Sequence, residues 1–239
     1  EYKMMGLAPY GAPRFKDVIL RELLHLYEDS GFHLNLALFD YVTGRTMTTD
    51  SFHDLFGGPP RRPDELLTQR HMDVAESAQA AIEEAVLNLG RAIARDYGEA
   101  NLCLAGGVAL NSVANGRLIR EGPFEQVWIQ PASGDAGGAV GAALAVHHLH
   151  AGGTRRIATP DGMAGAYLGP VFTTAEVARR LDASSARYET LDDDDVIATT
   201  ADALSEGAAV GWFQGAMEFG PRALGARSIL ADPRDPDMQ

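Results

Sequence analysis

The sequence predicts an α/β protein with a largely parallel sheet. Two short apolar segments, NLCLAGG from residue 101 and EQVWIQ from residue 125, have the composition of strands, and each leads into a helical pattern. The order strand, helix, strand, helix is typical of domains whose strands lie parallel. Both strands are followed by glycine-containing turns, so we expect anion-binding groups where the next helices begin.

Two packing helices are predicted before these strands. Leucine and tyrosine residues recur at helical spacing between residues 20 and 27, and a longer helical pattern runs from His71 to Tyr97. Residues 56–63 lie between them and are rich in glycine and proline, which predicts a loop.

A second α/β unit is predicted after a glycine-rich boundary at residues 151–165. It begins with a threonine-capped helix, continues with a strand at ARYETL and a helix from Val196 to Leu204, and reaches another strand at AAVGWFQG. The acidic run LDDDDV from Leu191 is interpreted as the cap and dipole partner of the helix near Val196.

Composition excludes several classes of protein. The 239 residues are 46% hydrophobic, which suffices for a buried core, and no run of about 18 apolar residues marks a membrane span. The formal net charge of −13 argues against nucleic acid and anionic membranes as partners. The single Cys103 cannot form an internal disulfide, so we expect a cytoplasmic protein. The first residues look like a motif already in progress, and we interpret the chain as a piece of a longer protein.

The stretch AGGVALN, residues 105–111, is a candidate phosphate site. Gly106 and Gly107 would leave several amide groups pointing outward at a helix start, where the helix dipole also favours negative charge. A tight turn that needs glycine for steric reasons is an equally good explanation of these residues alone. Asn111 would either orient a phosphate or cap the helix.

The stretch SGDAGGAVGAAL, residues 133–144, repeats this arrangement. Asp135 stands at the mouth of the turn, where its carboxylate would either ligate a divalent metal or cap the helix. Gly137, Gly138 and Gly141 keep the helix thin, so that a nucleotide or the sheet can approach. Neither stretch matches a Walker loop or the G-x-G-x-x-G fingerprint.

Three histidines, His147, His148 and His150, do not belong to a metal site with Asp135. They lie at the far end of the same predicted helix, about 18 Å away at the usual helical rise. Cationic side chains at a helix C-terminus explain them better.

The segment GWFQGAMEFGPRALGARSILADPR, residues 211–234, is a candidate anion grip. Arg222 and Arg227 offer planar forks of donors that suit phosphate or carboxylate. Arg222 follows a proline that is typical of helix starts, and both arginines would reach one anion only if the backbone turned at Gly225. The structural alternative is that one arginine pairs with a neighbour such as Glu218 or Asp232.

Five stretches together resemble the O-carbamoyltransferases of the NodU/CmcH family, which tailor antibiotics and nodulation factors. They are EYKMMGLAPYG, AGGVALN, GDAGGAVGAAL, YLGP and GWFQGAMEFGPRALGARSILADPRDP, in this order. The resemblance implies two modules in series. Residues 1–152 would be the later lobe of an actin, heat-shock and sugar-kinase (ASKHA) fold related to the tRNA threonylcarbamoyl transferase. Residues 153–166 would be a linker, and residues 167–239 would begin a YrdC-like domain.

The same resemblance implies the chemistry. The YrdC-like part would join carbamoyl phosphate to ATP as carbamoyl-adenylate, and the ASKHA part would transfer the carbamoyl group to a hydroxyl of a small natural product. Among antibiotics, a macrolactam, a β-lactam, an aminocoumarin and an aminoglycoside all remain open as acceptors, and the acidic charge leans toward a cationic aminoglycoside. The oligomeric state is open.

Site roles are also implied by the resemblance. Gly107, with Gly106 and Asn111 beside it, matches the turn that binds the phosphates of the nucleotide. Asp135 matches the acidic ligand of an iron-type divalent ion, whose other ligands are two histidines outside this chain; Mg²⁺ would accompany ATP. Arg222 matches an arginine on the path of carbamoyl phosphate or the adenylate.

Two other functions fit the glycine turns. A kinase of the sugar or acetate type shares them but is not expected to carry FGPRALGARS, and a nucleotide-binding module without complete catalysis would need neither the arginine nor the metal. Since the metal histidines and further basic residues are absent, we expect this chain alone to lack full turnover.

Overall fold

The computed structural model describes residues 4–27, 31–159 and 161–235. They fall into two compact units, residues 1–135 and 136–239, which are described separately. Three two-stranded sheets are found among the described residues. Single turns of 3-10 helix lie at Met4–Gly6, Ala8–Tyr10, Leu36–Leu38 and Ala164–Ala166.

The first unit opens with a short helix and a hairpin. Helix α1 (Lys16–Val18) continues as a wider helical turn over Ile19–Leu23, and strand β1 (Leu24–Leu26) then pairs antiparallel with β2 (Phe32–Leu34). The predicted helix through residue 27 is therefore wrong beyond Leu23, because the backbone of β1 bonds to a second strand. A second short helix, α2 (Asp50–Leu55), follows.

Helix α3 (Gln69–Tyr97) is the long helix predicted from residue 71, and it organises the first unit. The N–H of Thr68 donates to Nδ1 of His71 at 3.0 Å at its start, and Gly98 ends it in the left-handed conformation with φ +66°. Two clusters of buried hydrophobic side chains are found among the described residues of this unit. One contains Ile19, Phe56 and Ala81, and the other contains Leu87, Leu118 and Phe124.

The predicted strand–helix–strand unit is confirmed in residues 101–129. Strand β3 (Asn101–Leu104) pairs in parallel with β4 (Gln126–Ile129), and helix α4 (Ser112–Glu121) connects them. The helical pattern predicted after the strand NLCLAGG is divided into two parts. A 3-10 turn at Gly107–Leu110 precedes an extended Asn111, whose side chain caps α4.

Three α-helices and a two-stranded antiparallel sheet are found in residues 135–159 and 161–235. Helix α5 (Asp135–Ala145) starts at the last residue of the first unit and passes into a wider turn at Val146–His150. Helices α6 (Thr174–Ala183) and α7 (Asp193–Ser205) are followed by strands β5 (Val210–Phe213) and β6 (Arg227–Leu230).

Helix caps in the second unit match their predictions. Thr173 caps α6 in a capping box with Glu176, and Asp192 caps α7 by accepting from the N–H of Asp195 at 2.9 Å. The strand predicted at ARYETL is wrong, because residues 186–191 have no ladder partner among the described residues. The expectation of parallel pairing does not extend to this unit, where β6 runs antiparallel to β5.

Within residues 4–27, 31–159 and 161–235, the structure contains no helix with the length and apolar content that crossing a membrane requires.

Candidate functional site

The two glycine turns of the first unit meet at one edge of the β3–β4 pair. The strands are parallel, so both carboxyl ends lie at the same edge, and the backbone N–H of Gly106 donates to the carbonyl of Ser133 at 2.7 Å. Gly106 has a φ of +101°, which residues with a side chain rarely adopt, and no atom lies within 4 Å of where its Cβ would stand. Glycine is thus required here by backbone conformation, and the space in front of it is open. Gly107 beside it is half-buried.

Asn111 lies below this turn and is fully buried. Its Oδ1 accepts from the N–H of Ala114 at 3.0 Å and from Nε2 of Gln79 at 3.2 Å, while its Nδ2 donates to Oε1 of Gln79 at 2.8 Å. The cap that the sequence allowed is therefore present. A direct contact between Asn111 and a nucleotide stays a prediction.

Gln79 was missed by the sequence analysis. It is buried on α3, and its Nε2 also donates to Oε1 of Glu83 at 2.9 Å. The available signal was a glutamine among small and apolar neighbours in the stretch SAQAAI, residues 77–82. Its partner stands 32 positions away, so spacing alone did not reveal the pair.

Asp135 is exposed as the first residue of α5. Among the described residues, no group of three or more histidine, cysteine, aspartate and glutamate side chains is arranged to hold a metal ion. The described residues therefore do not by themselves form a complete metal site around Asp135.

Ser133 is a second residue that sequence reasoning missed. It is 5% exposed, and its hydroxyl finds no hydrogen-bond partner in the part of the chain that the structure describes. Burying a polar group without a hydrogen-bond partner costs free energy. Here the unpartnered hydroxyl belongs to the same residue whose carbonyl accepts from Gly106. The only sequence signal was its place in the SGDAGG stretch.

The remaining features of α5 belong to the second unit. Gly138 is exposed, and no atom lies within 4 Å of where its Cβ would stand. The three histidines lie in the wider turn at the end of the helix, where Nδ1 of His148 is 2.9 Å from the carbonyl oxygen of Gly153.

The arginine loop, defined as residues 218–227, is organised by a buried carboxylate. Glu218 is 6% exposed, and its Oε1 accepts from the backbone N–H groups of Leu224 at 2.7 Å, Ala226 at 2.8 Å and Arg227 at 3.3 Å. Led by the bond from Leu224, these contacts lower the pKa of Glu218 to about 2. The group is therefore ionised throughout the neutral range.

Arg222 and Arg227 border the same open pocket, which has a volume of about 320 Å³. Gly225 between them has a φ of +101°, so the backbone turns where a shared anion requires it. The prediction that Pro221 starts a helix is wrong, since residues 219–226 are not helical. Arg222 is half-buried.

The Arg227 side chain contacts the backbone of its own unit. Its Nη1 donates to the carbonyls of Gln214 at 2.7 Å and Ala226 at 2.8 Å, its Nη2 donates to Gly215 at 3.2 Å, and its guanidinium lies 3.4 Å from the ring centroid of Phe213.

Glu218 and Asp232 were the two carboxylates considered as partners of Arg222 or Arg227, and the structure gives each of them other contacts. Glu218 receives backbone N–H groups, and Asp232 pairs with Arg234 at 2.6 Å.

Comparison with known proteins gives the family. Residues 1–144 match the family described as Carbamoyltransferase N-terminus, and residues 201–239 match Carbamoyltransferase C-terminus. An uncharacterised protein of Synechocystis sp. is 56% identical over 241 residues, covering 100% of this chain and 39% of that protein. Nodulation protein NolO of Bradyrhizobium diazoefficiens is 38% identical over 235 residues, covering 98% of this chain and 40% of NolO.

A third relative, nodulation protein U of Bradyrhizobium diazoefficiens, is 31% identical over 195 residues, covering 78% of this chain and 30% of that protein. The chain thus spans two fifths or less of the length of these three relatives. The resemblance seen in the motifs is confirmed, and since the N-terminal match covers more than half of the sequence, the chain belongs to the carbamoyltransferase family.

Proposed function

We propose that this chain is part of an ATP-dependent O-carbamoyltransferase that acts on a hydroxyl of a small natural product. In this reaction carbamoyl phosphate, ATP and one water give carbamoyl-adenylate, phosphate and pyrophosphate. The acceptor hydroxyl then attacks the carbamoyl carbon, AMP leaves, and the hydroxyl proton is released. Membership of the carbamoyltransferase family supports the carbamoyl group as the group that is transferred.

The observation that carries the proposal is the bond between Gly106 and Ser133, in the segment that matches the family's N-terminal part. It holds the open glycine turn after β3 beside the turn that carries Asp135. Backbone amides at such turns and at the start of a helix favour phosphate oxygens. Gly106 and Gly107 would therefore hold nucleotide phosphates, with Asn111 capping the helix that follows the turn. In the second unit, Gly138 would by itself leave the surface of α5 open to a nucleotide.

Asp135 would supply one carboxylate to an iron-type divalent ion, and Mg²⁺ would accompany ATP. A bound ion of this kind polarises the carbonyl that is attacked. Among the described residues, Asp135 is not accompanied by a complete set of ligands for such an ion.

Arg222 would bind carbamoyl phosphate or the adenylate at the arginine loop. The chain carries a formal net charge of −13, so an anionic substrate needs a local source of positive potential. Arg222 and Arg227 both border one pocket and bring positive charge to it, and charge-assisted bonds to phosphate are stronger than neutral ones.

The proposed reaction would be divided between two domains, as the family resemblance implied. Residues 1–152 would be the later part of an ASKHA-type transfer domain, residues 153–166 a linker, and residues 167–239 the first part of a YrdC-like domain that forms the adenylate. A reactive mixed anhydride is best made near the place where it is used, because water destroys it.

The test is isotope exchange with the full-length protein. ATP, carbamoyl phosphate and labelled pyrophosphate are mixed, and label entering ATP only when carbamoyl phosphate is present supports adenylate formation. Phosphorylation of an acceptor without such exchange would support the kinase alternative. Nucleotide binding with neither reaction would support a binding module, and either result contradicts the proposal.

The acceptor is identified by mass. Hydroxylated antibiotics and nodulation factors are incubated with the full-length protein, and acyl transfer to a hydroxyl adds about 43 Da. The compound that gains this mass defines the substrate class.

A further inference from the structure

The arginine loop poses an electrostatic problem. A carboxylate that borders a pocket for phosphate would repel the ligand, and Glu218 borders the same pocket as Arg222 and Arg227. The structure answers this by directing three backbone N–H groups of the loop to a single oxygen of Glu218. The negative charge of Glu218 thus binds N–H groups of the loop itself, and the loop backbone surrounds the carboxylate.

The identity of the residue matters for this arrangement. An ionised carboxylate oxygen accepts several N–H bonds more strongly than an amide oxygen does. Glutamine keeps the shape and one acceptor oxygen but removes the charge, and alanine removes both. The two substitutions therefore weaken the acceptor in two steps and leave the side chains of both arginines unchanged.

Arg227 fixes the other side of the loop. Its guanidinium joins Gln214 and Gly215, just after β5, to Ala226 at the loop's end, and it covers the ring of Phe213. Glu218 and Arg227 thus hold the beginning and the end of the segment in which Arg222 stands.

We infer that Glu218 is a positioning residue: its carboxylate holds the amides of Leu224, Ala226 and Arg227 so that Arg222 is presented at the rim of the pocket. This inference rests on the proposed role of Arg222 in binding carbamoyl phosphate. Glu218 acts through the loop and touches no reacting atom. Its low pKa fits this role, since a group ionised so strongly is a poor proton acceptor at neutral pH.

The experiment uses the full-length protein and four variants: Glu218→Gln, Glu218→Ala, Arg222→Ala and the control Glu206→Gln. Glu206 is an exposed glutamate of the same unit. Three quantities are measured for each: kcat and KM for carbamoyl phosphate in the pyrophosphate exchange reaction, the affinity for carbamoyl phosphate by calorimetry, and hydrogen–deuterium exchange of the amides in residues 219–230.

For Glu218→Gln we expect KM and Kd for carbamoyl phosphate to rise about tenfold, as the weakening of bonds to a charged acceptor implies. We expect kcat to stay within about threefold, since no reacting group is lost. The amides of Leu224 and Ala226 should exchange at least about tenfold faster. Glu206→Gln should leave all three quantities unchanged.

The inference is overturned if Glu218→Gln leaves KM and Kd unchanged, whether or not the amides exchange faster. It is also overturned if kcat falls while KM stays constant, because that pattern belongs to a group acting in the transition state. Should Glu218→Ala fail to fold, the glutamine variant decides.

The failure of the proposed function gives a different pattern. If wild-type protein binds carbamoyl phosphate without exchanging pyrophosphate, the proposed reaction is wrong, and the positioning role is still judged from Kd and amide exchange. If wild-type protein neither binds carbamoyl phosphate nor exchanges pyrophosphate, both proposals fail.

Discussion

The backbone N–H of Gly106 donates a 2.7 Å hydrogen bond to the carbonyl of Ser133, and this bond joins the turn after β3 to the turn that precedes α5. Two segments that are 27 positions apart in sequence thereby border one edge of a parallel strand pair. At this edge the space in front of the Gly106 backbone is open, and the carboxylate of Asp135, two residues after Ser133, is exposed.

Arg222→Ala should abolish the exchange of pyrophosphate into ATP that depends on carbamoyl phosphate. We expect the exchange rate to fall about 100-fold or more, because a charged donor to the anion is lost. The matched control is Arg179→Ala, which removes an exposed arginine of α6 in the same unit. Exchange near the wild-type rate in Arg222→Ala would refute the role of this residue.

Asp135→Asn should spare pyrophosphate exchange but lower both carbamoyl transfer and metal content. The amide keeps the size of the side chain and loses the charge that a divalent ion prefers. Metal analysis of purified full-length protein and transfer assays provide the readouts, with Asp54→Asn on α2 as the control for loss of an exposed aspartate. Unchanged metal content in Asp135→Asn counts against its assignment as a ligand.

Asn111→Ala should lower the free energy of unfolding by about 2–4 kcal/mol, since the cap of α4 is lost and Oε1 of Gln79 loses the donor it binds in the buried pair. Asn111→Asp keeps the capping oxygen but places a buried carboxylate oxygen against Oε1 of Gln79, so it should destabilise the protein as well. Denaturant unfolding measures both, and a loss below about 0.5 kcal/mol for the alanine variant would contradict the structural account.

Ser133→Ala should leave the free energy of unfolding unchanged or raise it by up to about 1 kcal/mol, because it removes a buried hydroxyl that has no partner among the described residues. Ser77→Ala is the contrasting variant. Its hydroxyl donates to the carbonyl of Asp73 and accepts from the N–H of Phe15, so its removal should cost about 1–3 kcal/mol. Equal losses in the two variants would show that the Ser133 hydroxyl has a partner in solution.

The pH dependence of stability should include a contribution from Glu218. Its pKa is lowered in the folded state from an ordinary 4.5 to about 2, so its stabilising effect is fully present above 4.5 and is lost as the pH falls toward 2. The difference in Tm between wild type and Glu218→Gln should be constant from pH 7 to 4.5 and then shrink. A difference that grows on acidification would contradict this sign.

Local sequence signals determined much of this protein. The capping of α6 by Thr173 and of α7 by Asp192 depends on residues three positions apart, so it is visible in the printed sequence. The strand–helix–strand unit follows from periodicity and glycine punctuation, and the family follows from the order of the motifs. The candidate residues Gly106, Asp135 and Arg222 came from the same signals, and their roles in binding stay predictions.

Tertiary structure alone decided how the candidate residues are supported. The pair between Gln79 and Asn111 depends on how α3 packs below the glycine turn, and no local period encodes a contact across 32 positions. The two arginines looked equivalent as donors, yet the side chain of Arg227 donates to backbone carbonyls, and the buried Glu218 binds amides where an arginine partner was considered. The physical reason is that buried polar groups must find partners, and only the packed chain determines which ones lie within reach.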